Sequence, residues 1–90
     1  MTQTNDLLNN IGKIHTTAMG INRIKRNLGI EVNDVVDYCK KLLLSQEAVF
    51  ERWGKNWYVW TKGCILTVNG SSYTIITAHK EKQVKMQKRD

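Results

Sequence analysis

Apolar residues recur at helical spacing through the first half of this chain and at strand spacing through the second. Leu7, Leu8, Ile11 and Ile14 follow one another in steps that predict a short amphipathic helix. A second helix is expected to begin at Thr16 or Thr17, because a threonine oxygen accepts a hydrogen bond from a free first-turn N–H. Ile21, Ile24 and Leu28 line its inner side, and Gly29 is placed to end it in the left-handed conformation. Val32, Val35, Val36, Cys39, Leu42 and Leu43 fall at i, i+3, i+4, i+7, i+10 and i+11, a continuous stripe that predicts a third helix. Asp34 and Asp37 come early in it and Lys40 and Lys41 late, as the helix dipole favours.

The period then changes. EAVFERW, NWYVWT, CILTVN and YTIITAHK are short runs rich in β-branched and aromatic residues. Gly54-Lys55, Lys62-Gly63 and Asn69-Gly70-Ser71-Ser72 separate them, spacers short enough for hairpins. Helices first and strands after predict an α+β fold: two to three N-terminal helices packed on a C-terminal antiparallel four-stranded β-meander. Residues 1–80 read as a single α+β domain and residues 81–90 as a basic, flexible C-terminal tail.

Length and charge narrow the picture. Ninety residues make one domain, and a domain of that size buries only about 60–65% of the surface its unfolded chain exposes. The formal net charge is +6, which favours a polyanionic partner. Half of the excess sits in the last residues, KEKQVKMQKRD, with five positive and two negative charges. The start, MTQTNDLLNN, carries no basic, apolar leader, and no run approaches the length of a membrane span. A cytoplasmic protein with reduced Cys39 and Cys64 and no membrane partner is therefore expected. There is no CxxC or HxxxH pair, no carboxylate cluster, and neither a GxxxxGKS nor a GxGxxG loop. No metal and no cofactor are expected on that ground.

HTTAMGINRIKRNLG, DVVDYC, GKNWYV and GCILTVNGSSYTIITAHK together resemble a small bacterial family known only as a domain of unknown function, over roughly residues 14–80. The order of helix, Arg-bearing helix, helix and four-stranded meander also resembles, more distantly, the RelE/barnase-type ribonuclease fold. That likeness implies a toxin-like, metal-independent endoribonuclease or ribosome-associated protein, with RNA or the ribosome as target and an antitoxin-like protein as partner. No defining catalytic set of that fold carries over residue by residue.

Metal-independent RNA cleavage needs a base for the ribose 2′-OH, a cation for the phosphate and an acid for the leaving oxygen. His15 and His79 suit the acid and base roles, and Arg23 and Arg26 suit the phosphate. Thr16 and Thr17 at a helix start, Lys55, Thr77 and Lys80 complete the candidate phosphate contacts. Each residue also has a plainer reading. His15 can close a helix against a backbone carbonyl, His79 can be a solvent-facing strand end, and Arg23 and Arg26 can be a solvated helix face. Trp57 and Trp60 have opposite parity, so they face opposite sides of their strand, and Tyr58 goes with Trp60. Two alternatives to catalysis stay open: a non-catalytic nucleic-acid- or protein-binding module, and a homodimeric interaction domain built on the exposed aromatics.

Overall fold

The computed structural model describes residues 5–81, so all but the first residue of the expected tail lies outside the described residues. Three helices precede four strands: α1 (Asp6–Asn9), a 3-10 turn (Ile11–Lys13), α2 (Ala18–Leu28), α3 (Val35–Leu43), β1 (Val49–Trp53), β2 (Asn56–Thr61), β3 (Cys64–Asn69) and β4 (Ile75–Lys80). The strands form one antiparallel sheet in the order β1-β2-β3-β4. This is the expected α+β meander.

Two helix boundaries differ from the apolar pattern. Leu7 and Ile14 are buried as expected, but no single helix joins them. Asn10 leaves helical geometry and its side chain donates to the Asp6 carbonyl at 2.8 Å. Asparagine competes for backbone partners in this way, and Gly12 adds a further helix cost. α3 starts one turn later than its apolar stripe, because Asp34 caps it and accepts from the Asp37 N–H at 2.9 Å. Val32 remains outside the helix and still packs against the core.

Register divides the sheet into two faces. Val59, Leu66, Val68, Ile75 and Ala78 point to the helices and are fully or almost fully buried. An extra residue in β4, Ile76, opposite the Thr67–Val68 step lets both Ile75 and Ala78 point inward despite their odd spacing. The other face carries Val49, Glu51 and Trp53 from β1, Tyr58 and Trp60 from β2, Ile65 and Thr67 from β3, and Thr77 and His79 from β4. None of the described helices covers it.

α2 lies on β4 and runs in the same direction. Its start is tied to the start of β4 by Thr16 Oγ1, which donates to the Ile75 carbonyl at 2.9 Å. Its end meets the end of β4, where the Lys80 ammonium lies 3.9 Å from the place a Cβ on Gly29 would occupy. The lengths agree: eleven helical residues rise about 16 Å, and six strand residues span about the same. The α2–β4 pair therefore has two distinct ends, and these ends organise the polar chemistry of the molecule.

Candidate functional site

The residues singled out by sequence sort between the two ends. His15, Thr16 and Thr17 stand at the start of α2, beside the loop that leads into β4. Lys55 is at the same end, since its carbonyl accepts from the Gly70 N–H at 2.7 Å. His79, Lys80 and Arg26 stand at the other end, with Arg23 one turn back along α2 and Thr77 inside β4.

The structure does not bring His15 and His79 together. His15 pairs with Thr74 in a parallel bridge, whereas His79 sits at the far end of β4 opposite Ile65. At about 3.3 Å per residue the two are on the order of 15 Å apart. An acid and a base that share one phosphate must both reach it directly or through one water, and these two do not. Sequence parity gave no sign of this, because the position of His15 depends on a pairing between segments remote in the chain.

At the first end, the backbone completes the edge of β4. The His15 N–H donates to the Tyr73 carbonyl at 3.2 Å and the Ile75 N–H to the His15 carbonyl at 2.7 Å. His15 Nδ1 lies 2.8 Å from the Lys13 carbonyl and Nε2 lies 3.0 Å from Thr74 Oγ1. Thr17 caps α2 by accepting from the Gly20 N–H at 3.0 Å. Both threonine hydroxyls are thus engaged in structure. Thr74 and Ser72 are the side chains that sequence reading passed over here. The signal was the serine pair in NGSSY, which reads first as a hairpin turn.

The second end is basic. α2 carries Arg23, Lys25 and Arg26 and no carboxylate, and both arginines are exposed. Lys80 adds a fourth cation at the C-terminal end of α2, where the helix dipole favours it. The one salt bridge among the described residues joins Lys41 to Asp37, within α3, at 3.2 Å. Glu31, Asp34 and Asp37 therefore do not neutralise the α2 arginines. His79 and Lys80 are consecutive and point to opposite faces of the sheet, so this end joins the basic helix to the uncovered sheet face.

That sheet face is aromatic. The Trp53 and Tyr58 rings lie 5.4 Å apart at a tilt of 49°, and Trp53 is 62% exposed. Trp60 flanks Val49 and Ile65 across its strand pairs. Trp57 belongs to the other face, where it meets Phe50 edge-on at 6.3 Å and the Arg52 guanidinium at 5.6 Å.

The two thiols are both free and both lie on the helix side of the sheet. Burial pushes the Cys39 thiol up to about 12, helped by neighbouring Cys64. Burial also raises Cys64, and Lys80 opposes the shift. Neither is poised as a thiolate nucleophile. An open cleft of about 560 Å³ at the end of α3 is lined by Lys41, Ser45, Gln46, Glu47 and Lys62, and Glu47 is already engaged by the Lys62 N–H at 3.0 Å. Among the described residues no three His, Cys, Asp or Glu side chains gather as a metal site, and no helix is long and apolar enough to cross a membrane.

Residues 8–79 match the family described as Protein of unknown function (DUF3781). The chain belongs to this family. No curated protein and no solved structure matches it, so the likeness to the RelE/barnase-type fold rests on the order of elements alone.

Proposed function

We propose that this domain binds single-stranded RNA without cleaving it, through the basic end of α2 and the uncovered face of the sheet. The observation that carries this reading is the charge of α2: exposed Arg23 and Arg26 on one side and half-buried Lys25 on the other flank, with no carboxylate on the helix, joined by Lys80 at its C-terminal end. Surface cations with no carboxylate partner attract phosphates, and their neutralisation releases counterions. Beyond Glu81 the sequence adds Lys82, Lys85, Lys88 and Arg89 against a single Asp90, which extends the same charge.

The aromatic face supplies what the cations lack. Single-stranded bases stack on accessible rings regardless of sequence, and exposed Trp53 with half-buried Tyr58 and Trp60 offers such rings on one face. Thr67 and Thr77 stand opposite each other between those rings and the β4 edge. A strand passing from α2 around the end of β4 meets phosphate-binding and base-binding groups in turn. Binding is preferred over cleavage because His15 and His79 stand at opposite ends of β4.

The test is fluorescence anisotropy with a short 5′-labelled oligoribonucleotide and a duplex DNA of the same length. Saturable binding that favours the single strand, weakened more than about tenfold by Arg23→Ala/Arg26→Ala, is expected. Absent binding, or binding indifferent to that double substitution, would overturn the proposal. Self-association of the unliganded chain, lost on Trp53→Ala, would instead assign the aromatic face to a second copy.

A further inference from the structure

A polar chain at the opposite end of β4 has no part in the RNA-binding reading. It runs from Ser72 through Thr74 to His15 and ends at the Lys13 carbonyl. Ser72 Oγ and Thr74 Oγ1 are 2.7 Å apart, Thr74 Oγ1 and His15 Nε2 are 3.0 Å apart, and His15 Nδ1 and the Lys13 carbonyl are 2.8 Å apart.

The Lys13 carbonyl sets the direction of the protons at His15 and Thr74. A carbonyl oxygen can only accept, so Nδ1 carries the hydrogen of the neutral imidazole and Nε2 is a bare acceptor. The Thr74 hydroxyl then donates to Nε2. Its own oxygen then accepts from the Ser72 hydroxyl at 2.7 Å, the nearer of that hydroxyl's two acceptors, Asn69 Oδ1 lying at 3.3 Å. Each hydroxyl thus donates toward the imidazole, and the imidazole is held in that tautomer by a third group. A nucleophile within reach of a base, with the base oriented in turn, is the general arrangement of an activated hydroxyl.

The loop around it is fixed rather than loose. Asn69 Oδ1 accepts from the Ser71 and Ser72 N–H groups at 2.9 Å each. The His15 segment is bonded to Tyr73 and Ile75 on either side of Thr74. Lys13 Nζ sits 5.7 Å from the centre of the Tyr73 ring, which puts a positive charge beside the loop. Ser72 and His15 are both exposed, so a small reagent reaches them.

We propose that Ser72 is a nucleophile toward activated esters, with Thr74 relaying its proton to His15. In the reaction the Ser72 oxygen bonds to the acyl carbon, and the bond from that carbon to the leaving oxygen breaks. The Ser72 proton moves to Thr74 as the Thr74 proton moves to His15 Nε2. The resulting imidazolium returns a proton to the leaving oxygen by the same route or through solvent. The net change is an acylated serine and a free alcohol or phenol, with no other reactant. Ser72 is the reacting group, and His15 and Thr74 act through it.

The test uses the full chain and p-nitrophenyl acetate as probe, with the acetylated residue located by mass spectrometry of the peptides. The expected result is acetylation at Ser72, accompanied by nitrophenolate release and lost in Ser72→Ala. Acetylation at Ser72 should fall by more than about tenfold in His15→Ala and in Thr74→Val. Thr74→Ser keeps the hydroxyl and should retain it, which separates loss of the relay from loss of the fold. Acetylation confined to lysines, or Ser72 acetylation unchanged by His15→Ala and Thr74→Val, would overturn the proposal. RNA binding is read separately and does not depend on the outcome.

Discussion

Thr16 Oγ1 donates to the carbonyl of Ile75 across the joint between the start of α2 and the start of β4. Gly20, one turn into the helix, lies directly over that hydroxyl, and a Cβ placed there would collide with Thr16 Oγ1. The absence of a side chain at Gly20 is what lets the joint close.

Gly20→Ala should therefore destabilise the domain. Alanine gains about 1 kcal/mol of helix propensity over glycine, but the clash expels the Thr16 hydroxyl from its bond and crowds a buried site, at a cost of about 1–3 kcal/mol. Urea unfolding should give a net loss of about 1 kcal/mol. Combined with Thr16→Ala the two effects should be clearly less than additive, since the second substitution removes the atom that the first one strikes.

Alkaline stability should report on Cys39. Its thiol titrates near 9.0 when unfolded and at about 12 when buried in the folded chain. Between those values the unfolded state has lost the proton and the folded state keeps it. Stability contributed by the raised group is therefore full below pH 9.0 and declines as pH rises toward 12. Over that window the loss should be up to about 1.4 kcal/mol per pH unit from this group. Cys39→Ala lowers stability at neutral pH by leaving a small void and should flatten the decline, as chemical denaturation between pH 8 and roughly pH 10.5 would read.

The Lys41–Asp37 pair should prove nearly silent. Both side chains are more than half exposed, and solvent screens such i,i+4 pairs to a few tenths of a kcal/mol. A double-mutant cycle on the pair should give a coupling no larger than about 0.5 kcal/mol. A greater value would mean that α3 is held at its end more tightly than its packing indicates.

Trp53 should serve as the reporter of base stacking. It is the most exposed of the large residues on the uncovered face. Titration with single-stranded RNA should quench its fluorescence, and Trp53→Ala should weaken binding by about 1–3 kcal/mol while leaving thermal stability almost unchanged.

Much of the architecture was legible in the sequence because it depends on local periodicity. The Val32–Leu43 stripe from Val35 onward, the Gly29 stop and the alternation in NWYVWT each reflect one helix turn or one strand pleat, and each appears in the fold. The opposite parity of Trp57 and Trp60 was likewise readable and holds. The boundary errors at Asn10 and Val32 arose where capping side chains overruled an apolar pattern. The site was less legible. Whether His15 meets His79 depends on the pairing of His15 with Thr74, a contact far apart in sequence that no local period encodes. The hydroxyl chain from Ser72 was hidden for the same reason, since its base comes from the other half of the molecule.

The most direct test of the account is the salt dependence of RNA binding. The slope of log Kobs against log salt should be measured for the parent chain and for Arg23→Ala/Arg26→Ala/Lys80→Ala. Each phosphate contact to a single strand contributes about 0.7 to that slope. Loss of three contacts should make it shallower by about 2. An unchanged slope at unchanged affinity would contradict the account, because the α2 arginines and the end of β4 would then not be where the phosphates lie.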